Sequence, residues 1–370
     1  MELYERDDAL AALAGAFEDA ARGQGRVAFV TGEPGIGKTS LVSKFVAGLD
    51  PGTRILTGTC DDLSIPRPLG PIRDLAGAVS EPFREALASG AASHEIQSLL
   101  VAELALEPHP TALVLEDVHW ADDATLDAIT VLGRRIGSLP ALLVLTFRGG
   151  EVPTGHPFRA AVAGIRADDS VFVELAPLSR AAVASLAGNA ARKVYAATGG
   201  NPFYVTELLC SERTEDLPPS VANAVLGRAS RLDADGRRLV ELVSVVPGRV
   251  ETSVLDAVMP GWLAAAEDPE RQQLLELDGS HVRFRHELAR HAIRASVPVT
   301  ACRRLHGEIL TVLLAAGADP ADIVHHAESA GEEDVLAEYA LVAARQAAAL
   351  GSNREAFSHY RRASDFAGRL

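Results

Sequence analysis

The sequence predicts an α/β domain built on a parallel sheet that is covered on both faces, followed by a mainly helical region. Three observations predict it. Short apolar runs alternate with helical stretches up to residue 176, a glycine-rich loop joins the first run to a helix, and such runs become rare after Pro177. Runs that are apolar on both faces and alternate with helices belong to buried parallel sheets. The chain has 370 residues, beyond the roughly 250–300 at which a single core stops growing, so more than one domain is expected.

Taken in order, RVAFVT (26–31) reads as a strand, GEPGIGK as a loop and TSLVSKFVAGL as a helix. Strand-like runs follow at RILTGTC (54–60), TALVLED (111–117), ALLVLTFR (141–148) and VFVEL (171–175), which makes residues 1–176 a five-stranded unit. Helices near 178–188 and 201–211 make 177–215 a helical segment. Two more, in LPPSVANAVLGRASRL and DADGRRLVELVSVV, lead to LLELDGSHVRFRH, a hairpin in which Asp278-Gly279 reads as a type I′ turn. Helices followed by a two-stranded wing predict a winged-helix domain over 216–299. From residue 300 to 370 the chain reads as helical pairs broken at Gly317, Gly331 and Gly351, the last pair alternating small and aromatic residues like a tetratricopeptide unit. Such solenoids need about three repeats and a polar cap, so the chain reads as a fragment of a longer protein.

Composition excludes several classes. With 48% hydrophobic and 23% charged residues the chain is not disordered, and a net charge of −15 gives no basic footprint for nucleic acid. Residues 281–370 carry equal numbers of basic and acidic side chains, so the excess acid lies before them. Cys60, Cys210 and Cys302 are far apart and in no ligand spacing, which fits a reducing compartment. MELYERDDAL is no signal sequence, and no uncharged apolar run approaches the ~18 residues of a membrane span. A soluble, cytoplasmic protein with no membrane partner is expected.

The chemistry concentrates in Gly32, Glu33, Pro34, Gly35, Ile36, Gly37, Lys38 and Thr39, with Ser40 beside them. They match GxxxxGK[ST] between a strand and a helix. Glycines let the backbone curl so that successive N–H groups face a phosphate, and the helix start adds its positive dipole end. Lys38 adds a point charge for the β and γ phosphates, and it is one of only three lysines, with Lys44 and Lys193. Thr39 and Glu116 are the candidate Mg²⁺ ligands, Glu116 partly through water. Asp117 is the candidate to orient or deprotonate the attacking water. The order Glu-then-Asp and the shorter base argue against rapid hydrolysis. Arg148, at the C-terminal end of its strand, either reaches a γ-phosphate or pairs with Glu151. The expected cofactors are ATP or ADP with Mg²⁺.

GEPGIGKT, LVLEDVHWADDATLD, LLVLTFR, ATGGNPFYVTELL and VRFRHELAR occur in that order, and together they resemble STAND-type signalling ATPases, in particular the large ATP-binding LuxR-type transcriptional regulators. The resemblance implies a P-loop NTPase of the additional-strand class with an AAA-like ATPase domain, a helical lid, a winged helix and a TPR-like sensor. It also implies a DNA-binding helix-turn-helix beyond this sequence, through which alone DNA would be met. On matching positions it makes Pro202, with Gly200 and Asn201, a lid motif over adenine, although Asn201-Pro202 is equally a helix start. Arg6 resembles the arginine of a Gly-Arg motif beside the base, with Glu5 in place of the glycine. His286 resembles a histidine that contacts the ADP β-phosphate, or is a packing histidine. The function implied is a slow ATPase switch regulating transcription, with an inducer or partner protein on the helical sensor and self-association in the ATP state. A ring-forming motor that remodels protein or DNA complexes, or a non-hydrolysing scaffold, are the alternatives.

Overall fold

The computed structural model of the chain describes residues 3–106, 110–209 and 221–365. The predicted boundary between 215 and 216 and Cys210 lie outside the described residues. Contacts divide the chain into two units. One holds the residues up to Ala176 together with Ala343–Arg361, and the other holds Pro177–Val342 and the residues from Arg362.

The first unit runs α1 (Asp7–Ala21), β1 (Arg26–Thr31), α2 (Lys38–Ala47), β2 (Arg54–Thr59), α3 (Gly70–Arg73), α4 (Glu81–Ser89), α5 (Ser93–Leu104), β3 (Thr111–Glu116), α6 (Asp123–Arg135), β4 (Ala141–Phe147), α7 (Pro157–Val162) and β5 (Ser170–Glu174). All neighbouring strands pair in parallel, in the order β2-β3-β4-β1-β5. β4 therefore lies between the strand that feeds the glycine loop and the strand that ends in the acidic pair, as the additional-strand class requires. The five predicted strands are the observed ones within a residue or so at each end.

Burial alternates from face to face along these strands. Phe29, Leu113, Leu115, Leu143 and Leu145 pack with Phe83, Leu100, Ile129 and Leu132, while Ala28, Val30, Val114, Leu142 and Val144 pack with Leu13, Leu41 and Phe45. With both faces covered, a strand has no solvent side, which is why these runs read as continuous apolar segments. Residues 343–361 add to the first face, where Leu350 joins the cluster. They also reach the start of α6. Asp122 caps that helix by accepting from the N–H groups of Ala124 and Thr125, and it accepts from the buried Ser352 hydroxyl at 2.8 Å. Arg354 donates to the Ala121 carbonyl at 2.9 Å.

The second unit runs α8 (Arg180–Ala187), α9 (Ala191–Thr198), α10 (Pro202–Leu209), α11 (Val221–Ala229), α12 (Ala234–Ser244), β6 (Arg249–Glu251), α13 (Thr252–Val258), α14 (Trp262–Arg271), β7 (Leu275–Asp278), β8 (His281–Phe284), α15 (Glu287–Ser296), α16 (Val299–Ala316) and α17 (Pro320–Ala330). α18 (Glu333–Ala349) and α19 (Asn353–Asp365) follow. The hairpin forms, with two differences from expectation. Asp278 is still in the strand, opposite His281, so the turn residues are Gly279 and Ser280, and of these only Gly279 has positive φ, at 60°. Glycine first with a single positive φ is the type II′ arrangement rather than I′. The sheet also has a third strand, β6, in the order β6-β8-β7. Gly317, Gly331 and Gly351 break the helices as predicted, all in the left-handed region. Among the described residues, no helix is long and apolar enough to cross a membrane.

Candidate functional site

β1 delivers the chain to Gly32 buried on every side, and the loop then folds over its own end. Gly32 has φ 152°, and a Cβ there would stand 2.8 Å from the Ile36 side chain and 3.0 Å from the Leu175 carbonyl oxygen. Gly35 and Gly37 have φ 76° and 97°, conformations that side chains rarely adopt. A side chain at any of these three positions would strain the turn that leads into the N-terminus of α2. Lys38 is 8% exposed and donates to the carbonyls of Gly32 and Glu33 at 3.0 and 3.2 Å. Its proton affinity is lowered, mainly by burial, against the pull of Asp117, Glu151 and Glu116. Lys44 is exposed, as a solvated side chain should be.

The neighbouring strands bring the acidic pair to the same place. Thr39 Oγ1 donates to Glu116 Oε2 at 2.8 Å, so the two predicted cation ligands touch. Asp117 leaves β3 in a left-handed conformation, φ 53°, and its N–H donates to the buried hydroxyl of Thr146 on β4 at 2.9 Å. Thr146 escaped the sequence reading, because in ALLVLTFR it reads as one more β-branched core residue.

Arg148 follows β4 and is 9% exposed. It donates to Glu151 Oε1 at 2.9 Å and lies 4.5 Å from the centroid of the Trp120 ring. Its pair with Glu151 thus forms, but in a buried setting, and Trp120 serves as its floor. His119 was given no role from sequence, yet it is buried here with Nε2 3.2 Å from Glu151 and Nδ1 3.8 Å from Asp117. Neither ring nitrogen makes an aligned hydrogen bond among the described residues. Burial first, then Arg148, Lys38 and His156, bring its pKa down to about 3, so the ring is neutral.

Arg6 is buried and braces the loop from behind, donating to the carbonyls of Ile36 at 3.2 Å and Ala176 at 2.9 Å. Glu5 before it has φ 56°, a backbone position that favours glycine. In the second unit, Gly200 has φ 84° and approaches Leu178 so closely that a Cβ would stand 2.2 Å from its carbonyl oxygen. Asn201 is buried and caps α10 by accepting from the N–H of Phe203 at 3.2 Å, with Pro202 in the first turn. His286 stacks edge-on against Phe203, with ring centroids 4.7 Å apart. Burial, Arg285 and Arg228 lower its pKa to about 4. Asn201 thus starts α10, and His286 packs on Phe203, the residue that follows Pro202 in that helix.

A tight glycine loop at a helix N-terminus, a buried lysine, a hydroxyl–carboxylate pair and unaligned ring nitrogens of a buried histidine fit a nucleotide phosphate with Mg²⁺. Residues 2–145 match the AAA ATPase domain family. The fold is similar to a signal transduction ATPase with numerous domains (STAND) from Pyrococcus horikoshii that carries a tetratricopeptide repeat sensor, with TM-score 0.60 and 15% identity over 95% of this chain and 53% of that one. A looser likeness, TM-score 0.43 at 13% identity, is to the Aeropyrum pernix Orc1 protein in complex with DNA, covering 80% of this chain and 93% of that one. An uncharacterized protein of Rhizobium meliloti (strain 1021) is 22% identical over 295 residues, which are 70% of this chain and 28% of that protein. The chain thus spans about half of the Pyrococcus protein and less than a third of the Rhizobium one. Residues 2–145 thus resemble AAA ATPase domains, and the chain has the fold of a STAND-type P-loop ATPase.

Proposed function

We propose that this chain is the nucleotide-switch part of a signalling protein that regulates transcription, holding ADP or ATP with Mg²⁺ and hydrolysing ATP slowly. The observation that carries the reading is the Thr39–Glu116 hydrogen bond beside the buried Lys38, a hydroxyl and a carboxylate already paired where one cation would take both. A bound nucleoside triphosphate supplies the phosphoanhydride bond and the extra charge that separates the two states. The loop N–H groups and Lys38 bind its phosphates, Thr39 and Glu116 hold the cation, and Asp117 orients the attacking water. Arg148 exchanges Glu151 for a γ-phosphate, so one charge pair is traded for another, and the slow step follows from the short Asp117 side chain.

In the same reading, 177–215 is the lid, 216–299 a winged helix whose wing is β7-β8, and the helices from residue 300 the sensor for an inducer or partner protein. Pro202 and His286 add nucleotide contacts, supported by their link through Phe203 and by the neutral His286 ring, which keeps one N–H donor. DNA is met only through a domain beyond this sequence. Self-association belongs to the ATP state, and the compartment is the cytoplasm. Shifting such a switch from 1:99 to 99:1 takes about 5.5 kcal/mol of differential binding, which nucleotide and inducer would share.

Calorimetric titration with ADP and ATP tests the site. Lys38→Ala should weaken binding by roughly 10–100-fold, the worth of charge-assisted hydrogen bonds. Unchanged affinity would remove the basis of the proposal. Turnover below the ~1 s⁻¹ of ordinary enzymes, with assembly only in ATP, supports a switch. Rapid turnover would favour the ring-motor alternative.

A further inference from the structure

The second unit contains a cluster of imidazoles that nucleotide chemistry does not use. α16 is capped at Gly317 and α17 begins at Pro320, and across this short connection the two helices pack against each other. On the facing sides stand His306 from α16 and His325 and His326 from α17. One ligand nitrogen from each lies within 4.8 Å of the others. His306 and His326 are 2% and 3% exposed, and their Nδ1 atoms are 3.0 Å apart. The ring centroids are 4.9 to 5.6 Å from one another. His325 is only half-buried and gives the cluster a way out to solvent.

We propose that His306, His325 and His326 form a binding site for one divalent transition-metal ion of the zinc class, clamping α16 to α17. Three imidazoles are a common nitrogen donor set for such ions, and a carboxylate-seeking Mg²⁺ does not favour it. Tetrahedral Zn–N bonds of 2.0–2.1 Å place ligand nitrogens about 3.3 Å apart. The His306–His326 spacing of 3.0 Å is therefore within a few tenths of an ångström of the value required, and His325 closes the set by a rotamer change at its exposed end. The rings are also in the right protonation state. Burial, then His325 and Arg294, lower the His306 pKa to about 3, and burial with His325 and His306 lowers His326 as well, so both stay neutral and keep a lone pair.

The alternative is a hydrogen-bonded His–His contact that merely packs. That accounts for two rings but gives no reason for a third beside them, since adjacent imidazoles resist protonation and add no apolar surface that leucine would not. Among the described residues, no Asp, Glu or Cys completes the cluster. The fourth coordination position therefore falls to water or an incoming ligand, which makes the hairpin a place where a metal and a second small ligand can act on the helical region together.

The test uses the untagged full chain, purified without metal-affinity resin and titrated calorimetrically with Zn²⁺ in nucleotide-free buffer. One equivalent should bind, Tm should rise with Zn²⁺ concentration, and Co²⁺ in its place should give the visible absorption of a four-coordinate ion. Excess Mg²⁺ should not compete. Lys38→Ala should bind Zn²⁺ as the unaltered chain does, and His306→Gln should lose saturable binding. Should His306→Gln fail to fold, His325→Gln at the accessible edge decides, with circular dichroism as the check on its fold. Absence of saturable Zn²⁺ binding by the unaltered chain, or equal binding by His325→Gln, would overturn the assignment.

Discussion

Asp117 adopts a left-handed conformation, and its N–H donates to the hydroxyl of Thr146. Thr146→Val keeps the shape of that side chain and deletes only the acceptor. A partly buried N–H left without its partner costs about 1–3 kcal/mol. The urea midpoint should therefore fall with an unchanged slope, as expected for a loss of stability without a change in the surface exposed. Because the Thr146 hydroxyl bonds Asp117, the proposed water-orienting residue, nucleotide affinity should survive while turnover drops. Equal turnover in the two proteins would mean that this hydrogen bond does not position the acid. The site's legibility divides along the same line. Lys38, Thr39, Glu116 and Asp117 are readable because a local spacing imposes their chemistry. Thr146 and His119 are not, because their roles arise from strand register and from loop ends that meet only after folding.

In the second unit α10 and α11 are joined by a buried ion pair between Glu207 and Arg228, and Arg228 also donates to the Gln272 carbonyl at 2.7 Å. Burial raises the Glu207 pKa, and the arginine opposes that rise. Removing one partner of such a pair costs about 3–5 kcal/mol, because the other charge stays buried, whereas replacing both by apolar residues is often neutral. Arg228→Ala should lower stability by an amount in that range, and Glu207→Leu with Arg228→Met should recover most of it. If the double variant is as unstable as the single one, the burial argument fails. The central strands β1, β3 and β4 are legible because covered parallel strands read as nearly continuous apolar runs. α9 is not, since an alanine-rich sequence gives helix propensity little contrast, and β6 is three residues long. The hairpin was visible, but its turn was displaced by one residue, because Gly279 suits the second position of an Asp-Gly turn and the first of a Gly-Ser one.

Across the molecule, buried neutral histidines make stability depend on acid. His119 titrates at about 3 and His286 at about 4, against 6.5 for an ordinary histidine. The groups acting on them are Arg148, Lys38, His156 and Asp62 for the first and Arg285 and Arg228 for the second. Both folded values are depressed, so below pH 6.5 the unfolded chain binds more protons than the folded one. Stability should be full above pH 6.5 and decline as pH falls toward 4 and then 3. Thermal melts across this range should show a smaller decline for His286→Phe than for the unaltered chain, and parallel curves would rule out its share. The two-part make-up of the first unit bears on synthesis. Leu350 and Ser352 join its core and its α6 cap only after Pro177–Val342 have been translated. At ~5–20 residues per second that takes roughly ten to thirty seconds. Until then the nascent first unit waits on the ribosome with Asp122 lacking its Ser352 partner and one core position vacant, a period in which a chaperone has more to protect than in a domain made from one continuous stretch.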